Sequence, residues 1–176
     1  MTLPATVPLK NGGVGVIRSA EPRDASEWIA NANEVGGERV HLMSERFTRT
    51  ATEIESQFRD ANPKAELWLV AVVEGAVVGG GNFLRGKWAK NAHTASLGVS
   101  VRRAFRGLGL GEAIMRAGIE WAQGLGIRKL TLGVFATNGP ALALYQKLGF
   151  VEEGRLRGEV LLQGVPVDEI LMARWL

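Results

Sequence analysis

The chain has 176 residues, 46% of them hydrophobic, with 21 Lys plus Arg against 18 Asp plus Glu. That length and apolar content support one domain with a sizeable core, and a net charge of +3 is too small and too dispersed for a nucleic-acid surface. With no cysteine, disulfides, thiolate metal sites and a cysteine-linked acyl intermediate are excluded, so any group transfer has to be direct.

Residues 1–13 contain Pro4, Pro8 and an Asn11-Gly12-Gly13 turn, without the basic start and apolar run of a signal peptide, and read as a flexible tail ahead of a single domain over 14–176. No stretch reaches the roughly 18 apolar residues of a membrane span, so a cytoplasmic protein with no membrane partner is expected. Residues 14–18 are a strand candidate, and Pro22 with Asp24 marks the entry of a helix through Trp28 and Ile29 to about Val35. Residues 36–48 have no clean period. A second helix is predicted over 52–59, where Ile54 and Phe58 stand four apart. Two β-rich runs, 66–73 and 76–84, are joined by Glu74-Gly75 as in a hairpin. Within the second, Gly79-Gly80-Gly81 marks a bulge or a close approach by substrate. Another strand, 94–101, leads into a glycine turn.

The turn reads Arg106-Gly107-Leu108-Gly109-Leu110-Gly111. Behind it Ile114, Ala117, Gly118, Trp121, Ala122 and Leu125 recur at helical spacing. A strand that becomes a helix through small residues brings unpaired backbone N–H groups to one point in front of the positive end of the helix dipole. Such a point cradles phosphate, and Arg106 adds charge at its rim. Spacing narrows the ligand. The dinucleotide pattern G-x-G-x-x-G would need glycine at 112 or 114, where the chain has Glu112 and Ile114, and the sole Gly-Lys pair, Gly86-Lys87, precedes Trp88 rather than the Ser or Thr of a P-loop.

After the turn come a strand over 129–135, a helix over 140–148 stopped by Gly149, a strand over 150–155 and a hairpin pairing 159–162 with 167–175 around Gln163-Gly164. A helix joins strands 95–101 and 129–135, which makes them parallel neighbours, whereas the hairpins supply antiparallel pairs. The fold expected is α/β and three-layered, a mixed, mostly antiparallel sheet with helices on both faces.

The pattern Arg106-x-x-Gly109-x-Gly111 resembles the acetyl-coenzyme A signature of the GNAT superfamily of N-acetyltransferases. The later order Asn138-Gly139-Pro140-Ala141, then Leu144-Tyr145-Gln146-Lys147-Leu148-Gly149-Phe150, is similar to the second half of the same superfamily, and the match runs from about residue 67 to the C-terminus. The resemblance implies that the parallel strands splay at the centre of the sheet and that acetyl-CoA serves as cosubstrate, with no metal. It also implies that the coenzyme arm pairs like an added strand with Val99, Ser100 and Val101, the Val99 N–H pointing at the acetyl carbonyl. Residues Arg106, Gly107, Leu108, Gly109, Leu110 and Gly111 would then hold the pyrophosphate.

Read as residues alone, Asn138 is at least as much the N-cap of the following helix, and Tyr145 is more often a core aromatic than a catalyst. The resemblance gives Asn138 a contact with the coenzyme arm. It makes Tyr145, the only tyrosine, the catalytic group that protonates or orients the departing thiolate, a phenol of pKa near 10 having suitable basicity. The base stays open among His93, Glu38, Glu45, Glu53 and a water relay, since the strand offers Ser96 and Ser100 where many members carry glutamate. Arg102 and Arg103 reach phosphates or solvent. The acceptor implied is a primary amine, on a small molecule or a protein N-terminus, and a sensor that binds acyl-coenzyme A without turnover is the rival. Exposed hairpins and Trp175 are compatible with a homodimer.

Overall fold

The computed structural model describes residues 3–176, so Met1 and Thr2 of the expected tail lie outside the described residues. Eight strands form one sheet in the order β1-β2-β3-β4-β5-β6-β8-β7. They are β1 (Ala5–Pro8), β2 (Val14–Ser19), β3 (Glu66–Val73), β4 (Ala76–Arg85), β5 (Thr94–Val101), β6 (Lys129–Phe135), β7 (Val151–Leu162) and β8 (Val165–Trp175). The helices are α1 (Ala25–Gly37), α2 (Ala51–Asp60), α3 (Leu110–Gly124) and α4 (Gly139–Lys147). All neighbouring strands pair antiparallel except β5 and β6. Local chemistry sets the helix starts. Thr50 accepts from the Glu53 N–H while the Glu53 carboxylate accepts from Thr50, a reciprocal cap that opens α2.

Three glycines in β4 let the layers close. A Cβ on Gly80 would meet Nε1 of Trp28 in α1 at 2.7 Å, and one on Gly81 would meet Ile114 of α3 at 2.5 Å, so the backbone itself is the contact surface for a helix on each face. The bulge expected at this triplet is present, since the β3–β4 register shifts beside it between Ala71 and Val72, while what approaches its backbone is a helix on each face rather than a substrate. Gly118 of α3 likewise sits against the Phe83 ring, where a Cβ would overlap it. Phe83 is fully buried there, which contributes roughly 1.5–3 kcal/mol. One face of the sheet carries α1 and α2 around Trp28, Ile54, Phe58 and Val70. The other carries α3, with Ile114 and Ala117 against Leu69 and Val78, while Met115 and Ile119 share a second cluster with Leu130, Leu132 and Tyr145 of α4. The α3 stripe is therefore wider than the six positions at helical spacing suggest, because two clusters flank the helix.

Two sequence expectations are corrected. Residues 5–13 are not a free tail: β1 pairs with β2 from Ala5↔Ile17 to Pro8↔Val14, Leu9 is buried against the α3 cluster, and the Asn11-Gly12-Gly13 turn closes the hairpin with Leu9 N–H donating to Gly13 O at 2.9 Å. Pro8 is tolerated because β1 is an edge strand. At the other end, the two short strands expected over 150–155 and 159–162 are one strand, β7, with register shifts between Glu152 and Gly154 and between Leu156 and Val160. Gly158, at φ +60°, absorbs the irregularity without ending the strand.

Candidate active site

The parallel ladder between β5 and β6 is short. Pairing runs Thr94↔Lys129, Ala95↔Leu130, Ser96↔Thr131 and stops, yet β5 stays paired with β4 to Gly79↔Val101 and β6 with β8 to Phe135↔Glu169. Each strand is held from its outer side while the inner edges diverge. A cleft of about 810 Å³ opens there.

The outer ladder dictates which β5 groups face the gap. In an antiparallel pair, alternate residues direct both N–H and C=O at the partner strand. Arg102 N–H donates to Val78 O and Gly86 N–H to Thr94 O, both at 2.9 Å, so the even-numbered residues of β5 are the ones bonded to β4. The main-chain groups of Val99 and Val101 consequently point away from β4, into the gap beyond the last β6 pair. Val101 O confirms the phase, because it accepts from Nε of Arg106 at 2.9 Å across that side. Side chains alternate too: Leu97, Val99 and Val101 pack against the α3 core, whereas Ser100 faces α1 and its Oγ accepts from Nδ2 of the buried Asn31 at 2.9 Å.

A 3₁₀ turn over Arg103–Phe105, absent from the sequence reading, leads from β5 into the glycines. Gly107 and Gly109 have φ of +76° and +102°, the left-handed region that favours glycine, and Gly109 is the N-cap of α3. The first intrahelical bond is Ala113 N–H to Gly109 O at 3.1 Å, which leaves the N–H groups of Leu110, Gly111 and Glu112 without helical acceptors. A Cβ built on Gly107 or Gly109 meets nothing within 4 Å, so space as well as unpaired N–H groups is present for a phosphate.

The cations around this cradle are mostly engaged. Arg106 makes a double ion pair with Glu38 at the end of α1, at 2.6 and 2.8 Å, instead of standing free at the rim. The Arg106 hydrogen bonds hold the Glu38 carboxyl below the usual range, outweighing its partial burial. Glu112, in the first turn of α3, is held between Lys147 at 2.5 Å and Arg116 at 2.7 Å, and the Lys147 bond above all lowers its pKa. Lys10 also borders the cleft, its N–H donating to Leu108 O at 3.3 Å, and its ammonium has no ion-pair partner among the described residues.

Of the residues singled out in the sequence, Val99, Ser100, Val101, Arg106, Gly107, Gly109, Gly111, Asn138 and Tyr145 border this one cleft. Leu108 and Leu110 do not, because their side chains turn into the core beside Ile114. Asn138 caps α4, its Oδ1 accepting from Ala141 N–H at 3.3 Å, and the residue borders the cleft. Tyr145 is 8% exposed, its ring tilted against Phe150 at 6.0 Å, and its hydroxyl has no hydrogen-bond partner among the described residues. Burial pushes this phenol up to about 12, above the value of 10 that the residue type alone suggests.

The base candidates are largely dispersed. Glu45 is an exposed partner of Arg39, Glu53 belongs to the α2 cap, and His93 lies at the closed end of the parallel pair, where its carbonyl accepts from Arg128 and Lys129. Arg102 reaches Glu34 at 3.5 Å. Sequence reasoning missed Lys10, Val35, His41 and Leu42 at the cleft wall, since nothing local marks them. Burial and the Arg106 charge lower the His41 pKa, and its Nδ1 is buried without a partner.

The model of the acetyltransferase (GNAT) family matches residues 34–150. The chain belongs to that family of N-acetyltransferases. Among its relatives, the L-amino acid N-acetyltransferase AaaT of Escherichia coli (strain K12) is 35% identical over 90% of this chain and 96% of that protein. The crystal structure of a GNAT-family acetyltransferase from Streptococcus pneumoniae superposes with a TM-score of 0.86 at 31% identity, covering 92% of this chain and 99% of that one. The GNAT superfamily phosphinothricin acetyltransferase from Sinorhizobium meliloti, solved in complex with AcCoA, shares the fold with a TM-score of 0.82 at 21% identity over 92% of this chain and 88% of that one. No helix among the described residues is long and apolar enough to cross a membrane.

Proposed function

We propose that the protein transfers an acetyl group from acetyl-coenzyme A directly to a primary amine while both are bound. The observation that carries this reading is the Val99 N–H, left unpaired by the β4 ladder and aimed into the gap that opens beyond Thr131. The thioester supplies the activated acetyl group; the chain supplies the rest. An N–H fixed toward the carbonyl oxygen stabilises charge developing there by roughly 3 kcal/mol. The N–H groups of Leu110, Gly111 and Glu112, with Lys10 beside them, hold phosphates. Asn138 directs its free amide atoms at the coenzyme arm.

Tyr145 donates its hydroxyl to the departing sulfur. With a pKa of about 12 it stays neutral at every ordinary pH, so it acts first as a hydrogen-bond donor to the thiolate and transfers its proton only where burial raises the thiolate equally. Direct transfer agrees with the absence of cysteine. The 35% identity to an L-amino acid N-acetyltransferase favours the α-amino group of an L-amino acid as acceptor over a protein N-terminus. Coenzyme release measured across L-amino acids, polyamines, aminoglycosides and short peptides tests the proposal. Turnover fastest with free amino acids is expected. Tight acetyl-CoA binding with no turnover on any amine would instead identify a sensor.

A further inference from the structure

Glu169 of β8 stands opposite Phe135 in the sheet, and its carboxylate folds back over Gly133 of β6. A Cβ built on Gly133 would overlap the Glu169 Oε1 and come within 3.0 Å of its Cδ. Gly133 borders the cleft. Alternation fixes the face: Ile170 and Met172 of β8 and Leu132 and Val134 of β6 enter the core with Met115 and Tyr145, so Glu169 and Gly133 project to the opposite side. That is the side on which Ser100 meets Asn31 of α1. Glu169 is thus at the lip of the splay, across the sheet from the layer that carries Tyr145 and the α3 N-terminus.

Glu169 is a half-exposed residue, and its carboxylate has no hydrogen bond or ion pair among the described residues. Its neighbour Asp168 differs, taking Arg155 at 3.3 Å and the Gly158 N–H at 2.9 Å. A carboxylate with no counter-charge in the chain is open to pairing with a cation from outside it. Lys10 and free N–H groups stand at one end of the cleft, while the unpaired Glu169 carboxylate lies over Gly133 of its wall. A primary amine is an ammonium ion near neutral pH.

We propose that Glu169 receives the ammonium group of the acceptor and so selects cationic primary amines and seats them at the acetyl end of the gap. This rests on the transferase reading above. Gly133 serves the same end, since only a residue without Cβ leaves the carboxylate in this position.

The test uses the full chain with the fastest acceptor of the amine panel. Glu169→Gln should raise the KM for the amine about tenfold or more and leave the KM for acetyl-CoA within about twofold, because one charge-assisted contact is lost at the acceptor end alone. Glu169→Asp should recover part of the loss. Gly133→Ala should reproduce it by displacing the flexible carboxylate, and should add little in the Glu169→Gln background. Thermal midpoints should stay level for Glu169→Gln, since no protein partner is removed. An unchanged amine KM in Glu169→Gln, or an equal rise in the KM for acetyl-CoA, overturns the assignment while leaving the transferase intact. Absence of turnover by the wild type on every amine overturns the transferase reading and this assignment together.

Discussion

Replacing Tyr145 by Phe removes one oxygen from a side chain that is otherwise enclosed by Met115, Leu148 and Phe150. The ring contact with Phe150 at 6.0 Å survives, and because the hydroxyl has no partner among the described residues, no buried group is orphaned by its loss. The stability change should stay within about 0.5 kcal/mol, a shift of no more than about 2 °C in thermal midpoint for a chain of this size. Acetyl-CoA affinity should change little, since the phosphate cradle and the β5 edge are untouched. Turnover should fall about 10²-fold, the scale of one positioned donor to a departing group. Steady-state kinetics with a saturating amine, a calorimetric titration with acetyl-CoA and a melting curve read the three quantities separately. A Phe variant with full kcat would reduce Tyr145 to a core aromatic, and a variant that loses kcat only because it unfolds would refute the claim that the hydroxyl is free.

The single tyrosine makes its own titration readable, and tyrosinate absorbance of the native protein should rise with a midpoint of about 12. Since the folded pKa lies above the unfolded value of 10.0, stability should be fully present below pH 10 and fall as pH climbs toward 12, which melting curves across that window check; a native midpoint near 10 would mean the phenol is not buried. Gly109→Val should weaken coenzyme A binding at least about tenfold while the fold persists, because valine does not adopt φ +102° and the N-cap must rearrange, whereas α3 remains anchored through Gly118 on Phe83. Lys10→Ala should raise the Kd for coenzyme A several-fold and flatten its salt dependence, as read by titration at two ionic strengths, with no effect on the affinity for acetyl-pantetheine, which lacks the phosphates.

Most elements and the glycine turn are legible in the chain because they rest on local signals: the Pro22 helix start, the Ile54 and Phe58 spacing, the Glu74-Gly75 hairpin, the glycines at 107, 109 and 111. The splay could be named only through a family resemblance, since nothing in residues 97–101 or 132–135 says that pairing stops at Thr131. The first strand was hidden because Ala5, Val7 and Leu9 alternate over too short a run, preceded by Pro4 and interrupted by Pro8, to outweigh the look of a tail. Partners distant in sequence were invisible for a similar reason. Glu38 meets Arg106 across 68 positions, and Glu169 reaches Gly133 only once β8 has paired with β6. Leu108 and Leu110 show the converse limit, for a motif counts residues while the side chains of these two pack into the core and do not border the cleft.

The central claim is that alternate N–H groups of β5 are free to hold the thioester carbonyl, and hydrogen exchange of single β5 amides with and without acetyl-CoA tests it most directly. Gly98 and Ser100, bonded to β4, should be protected in both states, and Val99 should exchange rapidly in the free protein and become protected when acetyl-CoA is added. A Val99 amide already protected in the free protein, or one indifferent to acetyl-CoA that binds, would contradict the account.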